Sequence, residues 1–402
     1  MEYYKAQVEP LNLKSEYELI MVGYEVQICL TSAKPADIIY DVSKLRQRKI
    51  FTEPIEIRSP FVWEGNGSTY GSSINLSNCV FKGKLIITNH HFPQEVTFND
   101  VTFLNGADFS NTKFDNNVRF HRAVFHEMAE FKNTTFNNLV DFFLAVFKKD
   151  QQFHLTDFNG IAIFSNTSFY NAIQFLHNKV SSSTYISFES AKFYNGVDLS
   201  RSNFLCKLKF WGVTMHNLKL ESICTNLLYM YDNEALTNEQ DTISTAKKIR
   251  ESMRMIKQAF RADHNNIEAL HFHKLELACY KYEIGLSKNK FAERRLLWLN
   301  SISNSHGTSW TRGLGFTLLV TLIFYLIFIL VLSPQLRFDF SLTGIVNFIR
   351  YFIQLLNITN WKYQPFGLDT APWGDIVLYT GRIFISYGYY QLIQAFRKYT
   401  KN

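Results

Sequence analysis

Residues 106–120 read GADFSNTKFDNNVRF. Phe109, Phe114 and Phe120 stand five and six positions apart, and the alternating step continues in both directions. It marks 19 positions between residues 76 and 175, of which 17 are Phe and the other two Leu76 and Ile87. Two residues before each centre comes something small or β-branched, as in Val96, Val101, Ala107, Thr112, Val118, Ala123, Ala129 and Thr134. Self-similarity at a fixed period is the mark of a solenoid. A supercoiled helix can also repeat every 11 residues, but at about 100° per residue two Phe five apart lie about 140° apart around a helix and share no stripe. Short extended units fit instead, each turning its centre and the residue two before it to one inward side. Polar pairs such as Ser110-Asn111 and Asn116-Asn117 make corners between the units.

A small residue, a spacer, then Phe and polar residues resembles the pentapeptide-repeat family, in its Phe-centred variant with alternating five- and six-residue units. The resemblance implies a right-handed quadrilateral β-helix with four units and 22 residues per coil, about six coils stacked at ~4.8 Å. Between Phe175 and Phe188 the count slips by two, so residues 181–184 are expected to bulge at a corner. The beat resumes at Phe188, Phe193, Leu199, Phe204 and Phe210. The predicted architecture is a mainly β solenoid, then an α-helical hairpin, then two transmembrane helices with a short amphipathic or re-entrant helix between them.

The chain has 402 residues, enough for several modules. Residues 1–73 do not keep the beat and are read as an α+β cap, with a separate ligand-binding domain as the alternative. Strands are expected over 19–30, 55–57 and 61–63 and a helix over 35–50. Solenoids need caps because the first coil exposes apolar side chains and unpaired backbone. No basic segment followed by an apolar run opens the sequence. Cys29, Cys79, Cys206, Cys224 and Cys279 are scattered, odd in number and without CxxC spacing, so buried reduced thiols are expected. From 74 to 212 there are 13 Lys/Arg against 11 Asp/Glu. That near-balance excludes an acidic rod imitating DNA, and no nucleic-acid partner is expected. No phosphate loop, nucleophile elbow or metal cluster occurs, and the Glu-x-x-His spacing of Glu268 and His271 has no second copy, so neither enzyme activity, nor a cofactor, nor a metal is expected.

After the solenoid (74–215), residues 216–241 read as a polar linker. Two apolar stripes of helical spacing follow, Ala246-Ile249-Met253-Ile256-Phe260 and Phe272-Leu275-Cys279-Tyr282-Leu286, predicting an α-hairpin over 242–300. From 243 to 298 there are 12 Lys/Arg against six Asp/Glu, a balance suited to a solvated face or to anionic cytoplasmic lipid. The membrane region is 310–402. Residues 313–332 are uncharged and long enough to span, and 376–396 is apolar except for Arg382. Basic residues flank the outer side of this pair in sequence, which predicts a multi-pass protein of the cell's inner membrane with both termini cytoplasmic.

Between the spans, residues 345–358 are apolar but too short to cross. Asn347, Arg350, Gln354 and Asn357 step by 3, 4, 3 and form one polar stripe. Such a helix lies in the interface or dips back as a re-entrant helix. Helix, short helix, helix is the plan of tetrameric cation channels, and some pentapeptide-repeat proteins resemble it in their C-terminal part. Residues 357–361, with Thr359, do not read as a potassium filter. The candidate pore or membrane-polar residues are therefore Asn347, Arg350, Gln354, Asn357, Thr359, Arg382, Gln391 and Gln394. Two functions stand side by side. One is an oligomeric, channel-like membrane effector with the cytoplasmic solenoid as sensor. The other is a membrane-tethered scaffold without conductance. The expected partners are the lipid bilayer, further copies of the chain, and an unidentified protein on the solenoid.

Overall fold

The computed structural model describes residues 7–9, 17–22, 25–30, 49–51, 55–57, 73–217, 219–231, 239–287, 290–332, 339–360, 363–367 and 372–400. They fall into two compact units, Met1–Asp263 and His264–Asn402. The helix expected over 35–50 and the strand over 61–63 lie outside the described residues, apart from the last two positions of the former.

The core of the first unit is a β-solenoid of about six turns. Four ladders of parallel strands make its faces, each pairing residues one 22-residue coil apart. One ladder carries Val96, Val118 and Val140, and the next Phe103, Phe125 and Phe147. A third carries Ala107 and Ala129, and a fourth Phe114, Phe136 and Phe158. From Phe81 to Phe193 the Phe at each centre is buried, and most stack on the Phe of the next coil. Phe98, Phe120, Phe142 and Phe164 follow at 4.9, 4.8 and 5.0 Å with rings 4°, 5° and 6° from parallel. Between columns the rings meet edge to face, as Phe98 and Phe109 do at 5.4 Å and 72°, so both favoured aromatic geometries are used.

Threonines at the small-residue position are buried and satisfied. Thr112, Thr134, Thr156 and Thr167 each donate a hydroxyl to the carbonyl 25 residues earlier, at 2.7–2.8 Å. At Gln151 a long side chain occupies a small-residue place. Its Nε2 donates to the Ala129 carbonyl at 2.7 Å and its Oε1 accepts from the Ala129 amide at 3.2 Å. The amide thereby stands in for a backbone pair, and the third ladder is interrupted between Ala129 and Gln151 and continues as a separate sheet.

One corner recurs every 11 residues with a left-handed backbone, φ 53–59° at Asn78, Asn89, Asp100, Asn111, Arg122, Asn133, Leu144, Leu155, Asn166 and His177. Asn and Asp predominate because they tolerate this region better than other side chains. The next such corner is Ser190, two residues late. The two extra residues lie in the turn after Val180, where the Thr184 amide bonds to the Ser181 carbonyl. Pairs that span it are offset by 24, as Ala162 with Ile186, the offset returns to 22 beyond it, as in Tyr185 with Lys207, and the bulge falls within 181–184.

Short strands cover the first coil. β1 (Gln7–Glu9), β2 (Tyr17–Val22) and β3 (Glu25–Leu30) are antiparallel neighbours. Where one strand was expected over 19–30 there are two. β4 (Lys49–Phe51) and β5 (Ile55–Ile57) extend two faces by parallel pairing. β3 pairs with β6 (Ser73–Asn75) and β1 with β5, so backbone edges of the first coil are taken up. At the other end, the stretch read as a linker carries α1 (Leu220–Tyr231), followed by α2 (Glu239–Ala262). The apolar stripe of α2, Ala246 to Phe260, is buried. The helix lies on the strand Val197–Asn203, where Ser252 Oγ accepts from the Leu199 amide at 2.9 Å. The two helices expected to pair as a hairpin thus belong to different units, the first helix closing the solenoid.

The second unit holds α3 (Asn266–Leu286), α4 (Phe291–Asn304), α5 (Trp310–Leu332), α6 (Leu342–Leu356) and α7 (Pro372–Thr400). Asn265 caps α3 and Ser341 caps α6, each accepting an amide at 3.2 Å. Among the described residues, one helix is long and apolar enough to cross a membrane, over Trp310–Val331. The second span read at 376–396 does not meet that standard. α7 runs 29 residues, but Arg382, Gln391, Gln394 and its tyrosines dilute it below that standard.

Leu144 and Leu155 hold left-handed corners while exposed. Leu144→Asn is expected to stabilise the solenoid by about 1 kcal/mol, read as a higher denaturation midpoint. At Asp115, burial works against ionisation. Hydrogen bonds to His91, Lys113 and Asn137 outweigh it and hold the carboxyl at about 2 instead of 3.8. Because the folded value is depressed, this contribution is present above pH about 4 and is lost as pH falls toward 2. Thermal scans should therefore show a smaller loss over that window in Asp115→Asn than in the native chain.

Candidate functional site

The polar residues singled out in the sequence sit on α6, the turn after it, and α7, so their setting depends on how these helices pack on α5. α5 and α7 run antiparallel in close contact. Gly313 lies against Leu392, Thr317 against Gly388, and Phe324 against Gly381. Small residues allow this approach. A Cβ on Gly388 would stand 2.5 Å from Thr317 Oγ1 and one on Gly381 3.0 Å from Phe324, the small-residue packing of apolar helices. Thr317 and Thr321 turn their hydroxyls back to the Gly313 and Thr317 carbonyls, at 2.8 and 2.7 Å. Their polar atoms are thereby satisfied inside the contact.

α6 is bound to this pair by hydroxyls. Tyr325 of α5 donates to the Phe348 carbonyl at 2.7 Å and Tyr389 of α7 to Leu356 at 3.1 Å, while Tyr363, in the turn after α6, donates back to Tyr351 at 2.9 Å. Phe348, Tyr351, Phe352 and Leu355 supply the apolar contact with Tyr325, Phe328, Ile329, Leu378 and Ile385. The heights follow from the α5–α7 register. Tyr389 neighbours Gly388, which faces Thr317, about two turns into α5. A helical side chain leans toward its own N-terminus, so this hydroxyl leans toward the Pro372 end. Even at full reach, the last turn of α6 stands beside the middle turns of α5. The chain then turns back, as Arg382 Nη2 donates to the Asn360 carbonyl and Tyr363 packs on Phe328 at 5.8 Å.

α6 has three faces. One is the packed face just described. Leu342, Val346, Ile349 and Ile353 form an exposed apolar stripe. The predicted stripe forms the third face, with Asn347, Arg350 and Asn357 exposed and Gln354 half-buried. Asn357 Oδ1 accepts from the Thr359 amide at 3.2 Å and its hydroxyl at 2.7 Å, closing a turn at the end of α6. The polar stripe faces away from α5 and α7, not into their contact.

Gln391 and Gln394 form a second, separate group. Asn300 Oδ1 accepts from Tyr387 at 2.7 Å and from Gln391 Nε2 at 3.2 Å. Asn304 Nδ2 donates to the Gln391 carbonyl at 3.2 Å and to Gln394 Oε1 at 3.3 Å, and its Oδ1 accepts from the Gly307 amide at 2.8 Å. Asn304 is fully buried. These amides fasten α4 to α7 beside the start of α5. Asn300 and Asn304 were missed in the sequence; their only signal is a four-residue spacing near a helix end. From Ser305 to Gly307 three residues in a row have positive φ, 53, 58 and 82°, turning the chain sharply from α4 into α5.

Comparison with known families reaches the other unit. A model of pentapeptide repeats, nine copies, matches residues 87–135. This stretch is a pentapeptide-repeat solenoid. No curated protein and no solved structure matches the chain. The ladders and stacked rings continue past the matched residues to Phe210, so the pentapeptide-repeat architecture covers more of the chain than the match. Such a solenoid is consistent with a protein-interaction module. Its outer surface carries a stacked row of Tyr170, Tyr194 and His216, at 4.7 and 4.3 Å.

Gly388→Leu should force α5 and α7 apart and cost about 1–3 kcal/mol. Gly315→Leu, where a side chain meets nothing within 4 Å, should be tolerated. Thermal unfolding of the two variants in detergent checks the contrast.

Proposed function

We propose that the chain is an integral membrane protein whose α5 and α7 both cross the bilayer, with α6 entering between them as a re-entrant helix. Several copies then surround a water-filled path, and the pentapeptide-repeat solenoid serves as a cytoplasmic sensor. The observation that carries this reading is the height of the end of α6. Backbone that leaves helical structure at membrane depth is tolerated only where protein or water covers it. Asn357 and Thr359 stand at that height and are exposed in a single copy, so other copies or water must meet them. α6 is bonded to α5 by Tyr325 near its middle and to α7 by Tyr389 at its end, a hold on the sides of both helices that supports a re-entrant helix over one lying free in the interface. The helix's last carbonyls carry partial negative charge, which favours cations in the path.

The surface of the helices supports the same reading. Leu318, Leu322, Ile323, Leu326 and Leu330 on α5 and Ile376, Ile383, Phe384 and Ile393 on α7 are exposed. Such a surface suits lipid and not water. Trp310 lies at one end of the pair and Trp373 at the other, both exposed, as in the aromatic belts of spanning helices. The second reading, a tethered scaffold, draws on the aromatic row of the solenoid and needs no path through the helices.

Full-length protein in liposomes should release trapped monovalent cations, and Asn357→Leu should reduce the flux several-fold. No flux from full-length protein in several lipid mixtures and at several potentials would overturn the conducting reading and favour the scaffold.

A further inference from the structure

The amides of Asn300 and Asn304 do more than hold α4 in place. They set which side of it faces outward. Leu297, Ser303 and Asn304 are buried. The opposite side shows Phe291, Arg295, Trp298 and Ile302, spaced 4, 3, 4 on one stripe, with Phe291, Trp298 and Ile302 exposed at 59, 56 and 47%. Arg295 lies over the Phe291 ring at 4.2 Å. Lys290 precedes the helix and Arg294 adjoins Arg295, against a single acid, Glu293, which accepts from Tyr280 and pairs with Lys290 at 3.6 Å.

The place of this stripe matters as much as its composition. Asn304 bonds α7 at Gln391 and Gln394, and Leu392 lies against Gly313 in the first turn of α5. At this end Trp310 stacks on Phe396 at 5.8 Å, both exposed, with Arg312 and Arg397 nearby in sequence. The C-terminal end of α4 therefore adjoins this end of α5 and α7, and its apolar outer stripe runs back from there.

We propose that α4 is an interfacial helix that docks on anionic phospholipid. Phe291, Trp298 and Ile302 enter the boundary between headgroups and acyl chains, while Arg294 and Arg295 meet lipid phosphates. This rests on the membrane reading of α5. The charge selects the occupant. A second copy would bring the same basic side chains against these, whereas an anionic leaflet complements them, and aromatic–basic amphipathic helices bind such interfaces. Because the Asn pair ties α4 to α7, the lipid would act on the helix pair through this contact.

The test uses full-length protein in which Trp63, Trp211, Trp310, Trp361 and Trp373 are each replaced by Phe, leaving Trp298 as the reporter. It is reconstituted in brominated phosphatidylcholine with or without phosphatidylglycerol, folding being checked by circular dichroism. Trp298 emission is expected to fall by at least half in the anionic bilayers, and to recover in high salt or in Arg294→Gln/Arg295→Gln. A companion variant keeps only Trp310. Quenching of Trp310 without quenching of Trp298 would overturn the proposal while leaving α5 in the membrane. Quenching of neither would show that the membrane reading itself fails. Equal quenching of Trp298 with and without phosphatidylglycerol would overturn the anionic preference. Ready disulfide formation between copies carrying Trp298→Cys would overturn it in favour of self-association.

Discussion

Everything in the first unit depends on one constraint: each phenylalanine must land on the phenylalanine one coil before it. Parallel pairing holds neighbouring coils at the strand spacing, close to the separation at which two flat rings stack. A coil one residue longer would turn a Phe outward and bring a polar side chain in, since neighbouring residues of a strand face opposite sides. The rings therefore hold the register, and the register holds the backbone ladders. The two-residue insertion after Val180 shows how the constraint is met. The extra length is placed entirely in a corner, and the column from Phe164 to Phe188 stays stacked at 5.2 Å.

Corners and interior obey different rules. Inside, side chains must be apolar or return their polar atoms to the backbone, as the threonines and Gln151 do, because an unpaired buried group costs about 1–3 kcal/mol. At the corners the restriction is on backbone angle. Asn and Asp meet it most easily, yet Leu144 and Leu155 are held there by the ladders on either side. The ends need other means. Short strands extend the first coil and α2 covers the last, replacing neighbours that an interior coil has on both sides.

In the second unit, an apolar set of helices is organised by a small number of polar atoms. Two tyrosine hydroxyls and one arginine hold α6 and the turn after it to α5 and α7, a third tyrosine ties that turn back to α6, and two asparagines hold α4 to α7. Such bonds have direction, which oil-like contact lacks, so they determine height and facing as well as adhesion. Their consequence is that the polar stripe of α6 and the aromatic–basic stripe of α4 are both turned away from the helix core, toward whatever surrounds a single copy.

The solenoid was legible from Phe109, Phe114 and Phe120 onward, because its contacts repeat at constant separation along the chain and its period excludes a helix. The insertion at 181–184 was legible for the same reason. So were the apolar stripe of α2 and the apolar length of α5, which are local patterns. What α2 packs against was not, and the expected hairpin partner gave way to the solenoid's last coil. The linker reading also failed, because α1 lies in a stretch whose apolar patch is short. Arg382 and Gln391 were recognised as polar residues out of place, but their partners Asn360, Asn300 and Asn304 lie 22, 91 and 87 residues away in sequence. By itself the sequence determined the repeat, its register and the helices, since these follow from periodicity and local composition. Only the tertiary structure decided the height of α6 and the outward faces of α4 and α6, because single hydrogen bonds between distant residues determine them and no period records such a bond.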